Sequence, residues 1–114
     1  MSYRVIRDRL ASIPDKRFSR GVYWDGNTQC ACVIGALLPS TRKVRDNEFR
    51  EVPSITQAAE LFPAVRNEIE DLDVTIFELQ HLQNVNDVTR GASDQRYVDV
   101  MSWLETKVAE QEKA

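Results

Sequence analysis

Cys30-Ala31-Cys32-Val33-Ile34-Gly35-Ala36-Leu37-Leu38 is the longest apolar stretch of the chain, and its folding decides how everything else packs. Over so short a run, periodicity does not tell a buried strand from a buried helix. The small residues Ala31, Gly35 and Ala36 favour a helix that crosses closely against a neighbour, and Pro39-Ser40 ends it. The stretch is well short of the roughly 18 apolar residues that span a bilayer, so no membrane crossing is expected.

Working outward, Asp25-Gly26-Asn27-Thr28 carries the turn chemistry of a tight hairpin, preceded by Phe18, Val22, Tyr23 and Trp24. Before it, Ser2 can cap a helix whose Tyr3, Ile6, Leu10 and Ile13 recur at three and four, with Pro14 closing it. After the apolar run, residues 40–53 have only Val44, Phe49 and Val52 as apolar members and read as a surface loop. Two capping boxes follow, Ser54-Ile-Thr-Gln57 and Thr75-Ile-Phe-Glu78. The first opens a helix carrying Ile55, Ala58, Ala59, Leu61 and Phe62, with Pro63 stopping it or starting the next turn. The second opens a helix carrying Ile76, Leu79, Leu82 and Val85. Ser93 or Asp94 then caps a last helix with Tyr97, Val100, Met101, Leu104 and Val108 on one face, and 110–114 form a fraying tail. The expectation is a single domain over 1–114, mainly α (α+β), with four to five helices and a short hairpin around one core.

Composition agrees with a packed fold. Of 114 residues, 42% are hydrophobic and 29% charged, values of an ordinary globular domain. Lys plus Arg number 15 against 18 Asp plus Glu, a net charge of −3 that argues against nucleic acid as the main partner. The basic residues gather early, at Arg4, Arg7, Arg9, Lys16, Arg17 and Arg20, while most acidic ones follow Asp46. Such asymmetry can steer an acidic partner, although a solvated helix face explains it as well. Cys30 and Cys32 are too close for an ordinary disulfide staple and fit a reducing compartment. Met1-Ser2-Tyr3-Arg4 lacks the apolar core of a secretory leader, so the expected location is the cytoplasm.

Chemistry has few footholds. Cys30 and Cys32 fall at the expected start of the buried helix, with His81, Asn86 and Asp87 later in the chain. A thiol at a helix N-terminus has a lowered pKa, and His81 can serve as its base, which gives a cysteine nucleophile. Free cysteine also packs as a small apolar residue, and the Cys–His spacing distinguishes nothing. Metal binding by Cys30, Cys32, His81 and Asp87 is disfavoured, because Cys-x-Cys lacks the gap of about two to four residues typical of structural zinc sites. No metal and no cofactor are expected, and the glycines at 21, 26, 35 and 91 form no phosphate loop. Glu68, Glu70, Asp71 and Asp73 make an acidic run, read as lying between two helices, that is either solvated or a contact for a basic protein surface. Tyr23, Trp24 and Trp103 can anchor an interface or fill the core. Trp103 lies off the main face of its helix and hints at a homodimer.

Three pieces of the chain together resemble a loose group of small proteins of bacteriophages, prophages and some bacteria. They are Phe18-Ser-Arg-Gly21 ahead of the hairpin, Cys32-Val-Ile-Gly35-Ala-Leu37, and Leu82-Gln-Asn-Val-Asn86-Asp87 followed by Gly91 and Ser93. The resemblance implies a phage or mobile-element setting and no particular reaction. It also implies that Cys32 packs against Asn86-Asp87, whose side chains would cap the chain reversal before the last helix.

The functional expectation is a non-enzymatic accessory protein, phage- or mobile-element-derived, that binds and modulates a host protein. Two alternatives come from other classes. One is a cysteine-dependent hydrolase or transferase using Cys30 or Cys32 with His81. The other is a small DNA-associated regulator using the basic first helix.

Overall fold

The structure is a computed structural model that describes residues 2–26, 28–43, 54–89 and 91–113. Helix α1 (Ser2–Ala11) turns Ile6 and Leu10 fully inward, as the three-and-four spacing predicts. Lys16 caps its far end, with Nζ donating to the Ala11 and Ile13 carbonyls at 2.8 and 3.2 Å. That placement satisfies two carbonyls near the helix end and puts a cation at the negative end of the helix dipole.

The apolar run divides into a strand and a helix. Strand β1 (Trp24–Asp25) pairs antiparallel with β2 (Cys30–Ala31), Trp24 opposite Ala31 and Asp25 opposite Cys30. Helix α2 (Val33–Leu37) begins two residues later. A helix starting at Cys30 is therefore not what forms: the hairpin turn gives Asp25 and Cys30 each other as partners, so these backbone groups are paired before the helix starts. Cys32 stands between the two elements in extended conformation and is the N-cap of α2, its Sγ accepting the Gly35 N–H at 3.5 Å. Gly35 does mark a close approach, though against the hairpin and not another helix. A Cβ there would overlap the Tyr23 carbonyl oxygen.

A 3-10 turn over Pro39–Lys43 follows, occupying the start of the segment read as a loop. Residues 44–53 of that segment lie outside the described residues. Helix α3 (Ile55–Leu61) starts at the Ser54 capping box, with both reciprocal bonds formed, Gln57 N–H to Ser54 Oγ at 3.2 Å and Ser54 N–H to Gln57 Oε1 at 3.0 Å. Pro63 starts the next helix, α4 (Pro63–Leu72), since a ring that cannot donate is harmless in a first turn. Val65, Ile69 and Leu72 form its buried stripe, and Asp73 ends it in left-handed conformation at φ 55°. The acidic run from Glu68 thus belongs to a helix and does not link two, which brings the described helices to six.

Helix α5 (Ile76–Val88) begins at the second capping box and buries Leu79, Leu82 and Asn86. Helix α6 (Ser93–Lys113) buries Arg96, Val100, Leu104 and Val108 at a strict spacing of four. It lies along α1 and α5, while α2 sits centrally against α1 and α5. Each Leu or Ile so enclosed is worth roughly 1.5–3 kcal/mol over exposure. Trp103 meets Tyr3 of α1 edge-on, with ring centroids 5.4 Å apart, so its off-face position is used within the chain. The helix runs on through residues 110–113, read from sequence as a fraying tail, with Arg4 facing Glu112 at 3.6 Å. No helix among the described residues is long and apolar enough to cross a membrane.

Candidate functional site

The three short motifs converge on one backbone clasp. Phe18 N–H donates to the Ser93 carbonyl at 3.0 Å, and Ser19 N–H to the Ala31 carbonyl at 2.9 Å. The Ser19 carbonyl accepts from Asn86 Nδ2 at 3.0 Å, and Gly21 N–H donates to Asp87 Oδ1 at 3.1 Å. Gly21 sits at φ +78°, a conformation costly for any side chain. Asn86 and Asp87 lie within the last turn of α5, close to Cys32 as the resemblance implies. Among the described residues their side-chain bonds go to the segment before the hairpin and to α2, and none goes to the reversal before α6. Asn86 Oδ1 caps α2 from outside by accepting the Val33 N–H at 3.2 Å. The polar groups of the clasp serve each other, so it organises the fold.

Both sulfurs are enclosed. Burial pushes the Cys32 thiol up to about 12, with the nearby Asp87 charge acting in the same direction and backbone N–H donors opposing it. A helix N-terminus lowers a thiol pKa only while the ion stays solvated, and here desolvation wins. Cys30 is buried with its Sγ 3.3 Å from Thr28 Oγ1. His81 is exposed on the outer face of α5, its ring 4.5 Å from that of Phe77. No hydrogen bond among the described residues joins it to either thiol. No group of three or more His, Cys, Asp or Glu among the described residues is arranged to hold a metal ion.

The acidic run is split by its helix. Glu68 turns inward and accepts the Ser40 N–H at 3.0 Å, securing the 3-10 turn, while Glu70, Asp71 and Asp73 face solvent. The basic first helix is engaged within the chain. Arg4 pairs with Glu112 and Arg7 with Glu105, at 3.6 and 3.4 Å, both acids being on α6.

An open recess lies elsewhere, where the segment after α1 passes the hairpin and the end of α2. It encloses about 230 Å³. Ile13, Pro14, Ala31 and Ala36 supply its apolar lining, Trp24 and Arg42 line it too, and Gln29 adds a polar side chain. The Arg42 guanidinium lies over the Trp24 ring, 5.4 Å from its centroid, and Nε donates to the Gly35 carbonyl at 2.8 Å. The cation–π contact and this one bond restrict the freedom of the group. Its Nη atoms make no hydrogen bond among the described residues. On the rim, Arg17 grips Asp15 through two bonds of 2.8 and 2.9 Å, which holds the Asp15 carboxyl below its usual range. That pair is neutral, so among the described lining residues the net charge is the positive one of Arg42. A wider, shallower hollow of about 360 Å³ lies beside Thr56, Glu60, Arg66 and Ile76. It has no aromatic wall and is open on more sides.

Trp24 was legible as a possible anchor, but Arg42 was not, because it lies in a polar stretch and reaches Trp24 only through the turn after α2. Comparison with protein-family models, with curated proteins and with solved structures found no match to this chain.

Proposed function

We propose that this chain is a non-catalytic binding module, an accessory protein that holds a segment of a partner protein in the Trp24–Arg42 recess. The observation that carries the reading is the guanidinium over the Trp24 ring, held by the Gly35 carbonyl, in an open recess that Ile13, Pro14, Ala31 and Ala36 also line. Aromatic and arginine side chains of restricted freedom are the usual anchors of protein recognition, because little entropy is lost when they are contacted. The resemblance to phage and prophage proteins makes a host protein in the cytoplasm the partner in this reading. A cysteine hydrolase needs an accessible thiolate beside its base, and the buried thiols and exposed His81 favour it less. A DNA-binding role of the first helix is likewise less favoured, since Arg4 and Arg7 face acids of α6.

The test is panning of displayed random peptides on the purified protein, followed by NMR mapping of the selected peptides. The expected result is amide shifts clustered at 13, 15–17, 29–31 and 36, with binding lowered about ten-fold or more by Trp24→Ala. Selected peptides that map elsewhere, or turnover of an ester or peptide that Cys32→Ala abolishes without unfolding the chain, would overturn the reading.

A further inference from the structure

We infer that the recess recognises the C-terminal residue of its partner, an apolar side chain whose own terminal carboxylate pairs with Arg42. The inference rests on the binding-module reading and specifies what that module reads.

Charge sets the first condition. The chain as a whole is acidic at −3, yet among the described residues no carboxylate pairs with Arg42, and Asp15 at the recess is already paired with Arg17. Arg42 uses Nε on the Gly35 carbonyl, which leaves its two Nη groups without a hydrogen bond among the described residues at the recess it lines. A planar fork of two N–H groups matches the two oxygens of a carboxylate, and the group is already restrained by the Trp24 ring and the Gly35 carbonyl. The ligand therefore carries one carboxylate.

Volume sets the second. About 230 Å³ is below the roughly 300–1,000 Å³ of sites that enclose cofactors and drug-sized ligands. It suits a single residue. Ala31, Ala36, Ile13 and Pro14 offer contact to an apolar side chain, while the other charged lining residues, Asp15 and Arg17, are bonded to each other. An internal Asp or Glu would bring the charge but would leave those apolar walls unfilled within that volume. A C-terminal Leu, Val or Phe brings both from one Cα, so a chain end satisfies the site where an internal segment does not. Recognition of a terminal carboxylate is a recurring mode of peptide capture.

The test uses two displayed libraries of the same random hexapeptide, one with a free C-terminus and one embedded between fixed flanks. The best binder is then synthesised as the acid and as the C-terminal amide, and its last residue alone as the N-acetyl amino acid. Titration calorimetry on the full chain is expected to show binders from the free-terminus library ending in an apolar residue. The acid is expected to bind about ten-fold or more tighter than the amide, the loss expected for one charge-assisted pair. Arg42→Gln should abolish that difference. Ala36→Leu, which fills the recess and leaves Arg42 in place, should abolish binding of both forms, and melting temperatures verify that each variant is folded. Binders from the embedded library that map to the recess, or equal affinity of acid and amide, overturn the terminal-carboxylate inference and leave the binding-module reading standing. Selected peptides that map away from the recess overturn both. An N-acetyl amino acid that binds as tightly as the hexapeptide replaces the protein terminus with a small free carboxylate, and overturns the inference on that point.

Discussion

Asn86 Oδ1 accepts the Val33 N–H at 3.2 Å, so a side chain on the last turn of α5 supplies a cap to a helix that lies 53 residues earlier. The same amide donates to the Ser19 carbonyl at 3.0 Å and to Asp87 Oδ1 at 3.0 Å. One buried asparagine therefore ties together α2, α5 and the segment before the hairpin. An amide is suited to this because it offers a donor and an acceptor at once.

Replacing Asn86 with alanine leaves the Val33 N–H and the Ser19 carbonyl buried without partners. Each such orphan costs about 1–3 kcal/mol, so the variant is expected to lose roughly 3 kcal/mol in urea unfolding followed by circular dichroism. Asn86→Asp should lose a comparable amount at neutral pH, since a carboxylate cannot donate to Ser19 and would face Asp87. A variant within about 0.5 kcal/mol of the parent, as for an ordinary surface change, would show that the clasp does not hold the fold.

Gly35 has an ordinary helical environment and is constrained only by the hairpin that crosses it. An added methyl at Gly35→Ala would overlap the Tyr23 carbonyl oxygen and lie 3.1 Å from the Ala31 Cβ. Backbone does not yield as a side-chain tip does, so the expected cost is at the upper end of overpacking, about 3 kcal/mol or more. The measurement is the urea midpoint together with the NMR shifts of residues 23 and 31, which should move most.

How legible this fold is depends on the range of the interaction involved. The capping boxes at Ser54 and Thr75 act over three residues and are read directly from the sequence, as is the Asp25-Gly26 turn. The stripe of α6 was legible for the same reason, although Arg96 was missing from it because a charged side chain is not expected inward. The split of the Cys30–Leu38 run was hidden, since two strand residues followed by five helical ones leave no period to detect. The recess was hidden for a different reason. Arg42 and Trp24 are separated by 18 positions, and only the tertiary path brings the guanidinium over the ring.

Alkaline pH should weaken this protein in a specific window. Burial raises Cys32 from 9.0 to about 12 and holds the Tyr23 hydroxyl well above its ordinary 10.0, despite a hydrogen bond with Gln83. Both groups ionise more readily in the unfolded chain than in the folded one. Their contribution is therefore intact below pH 9 and declines between pH 9 and 12, first through the thiol and then, above pH 10, through the phenol as well. Each group adds a slope of about 1.4 kcal/mol per pH unit once its unfolded form is ionised. Urea unfolding free energies from pH 8 to 11 should fall along that course, and Cys32→Ala should remove the first part of the slope. An identical pH profile in the variant would show that Cys32 is not the group responsible.

Arg96 is buried, and no carboxylate pairs with it among the described residues. Its Nη1 donates to the Phe18 carbonyl at 2.6 Å and Nη2 to the Gly91 carbonyl at 3.2 Å, while Nε is left without a partner. The charge is thus solvated by peptide dipoles, and the fork spans two strands of chain that a single-point donor cannot bridge. Arg96→Lys keeps the charge but holds at most one of these carbonyls well, so a loss of about 2 kcal/mol is expected from one weakened charge-assisted bond. The loss should be local in character. Phe18 N–H is bonded to the Ser93 carbonyl beside this site, so its hydrogen exchange should accelerate more than that of amides in α4. Uniform acceleration across both regions would instead mean that Arg96 acts on global stability alone and does not fasten the segment before the hairpin to α6.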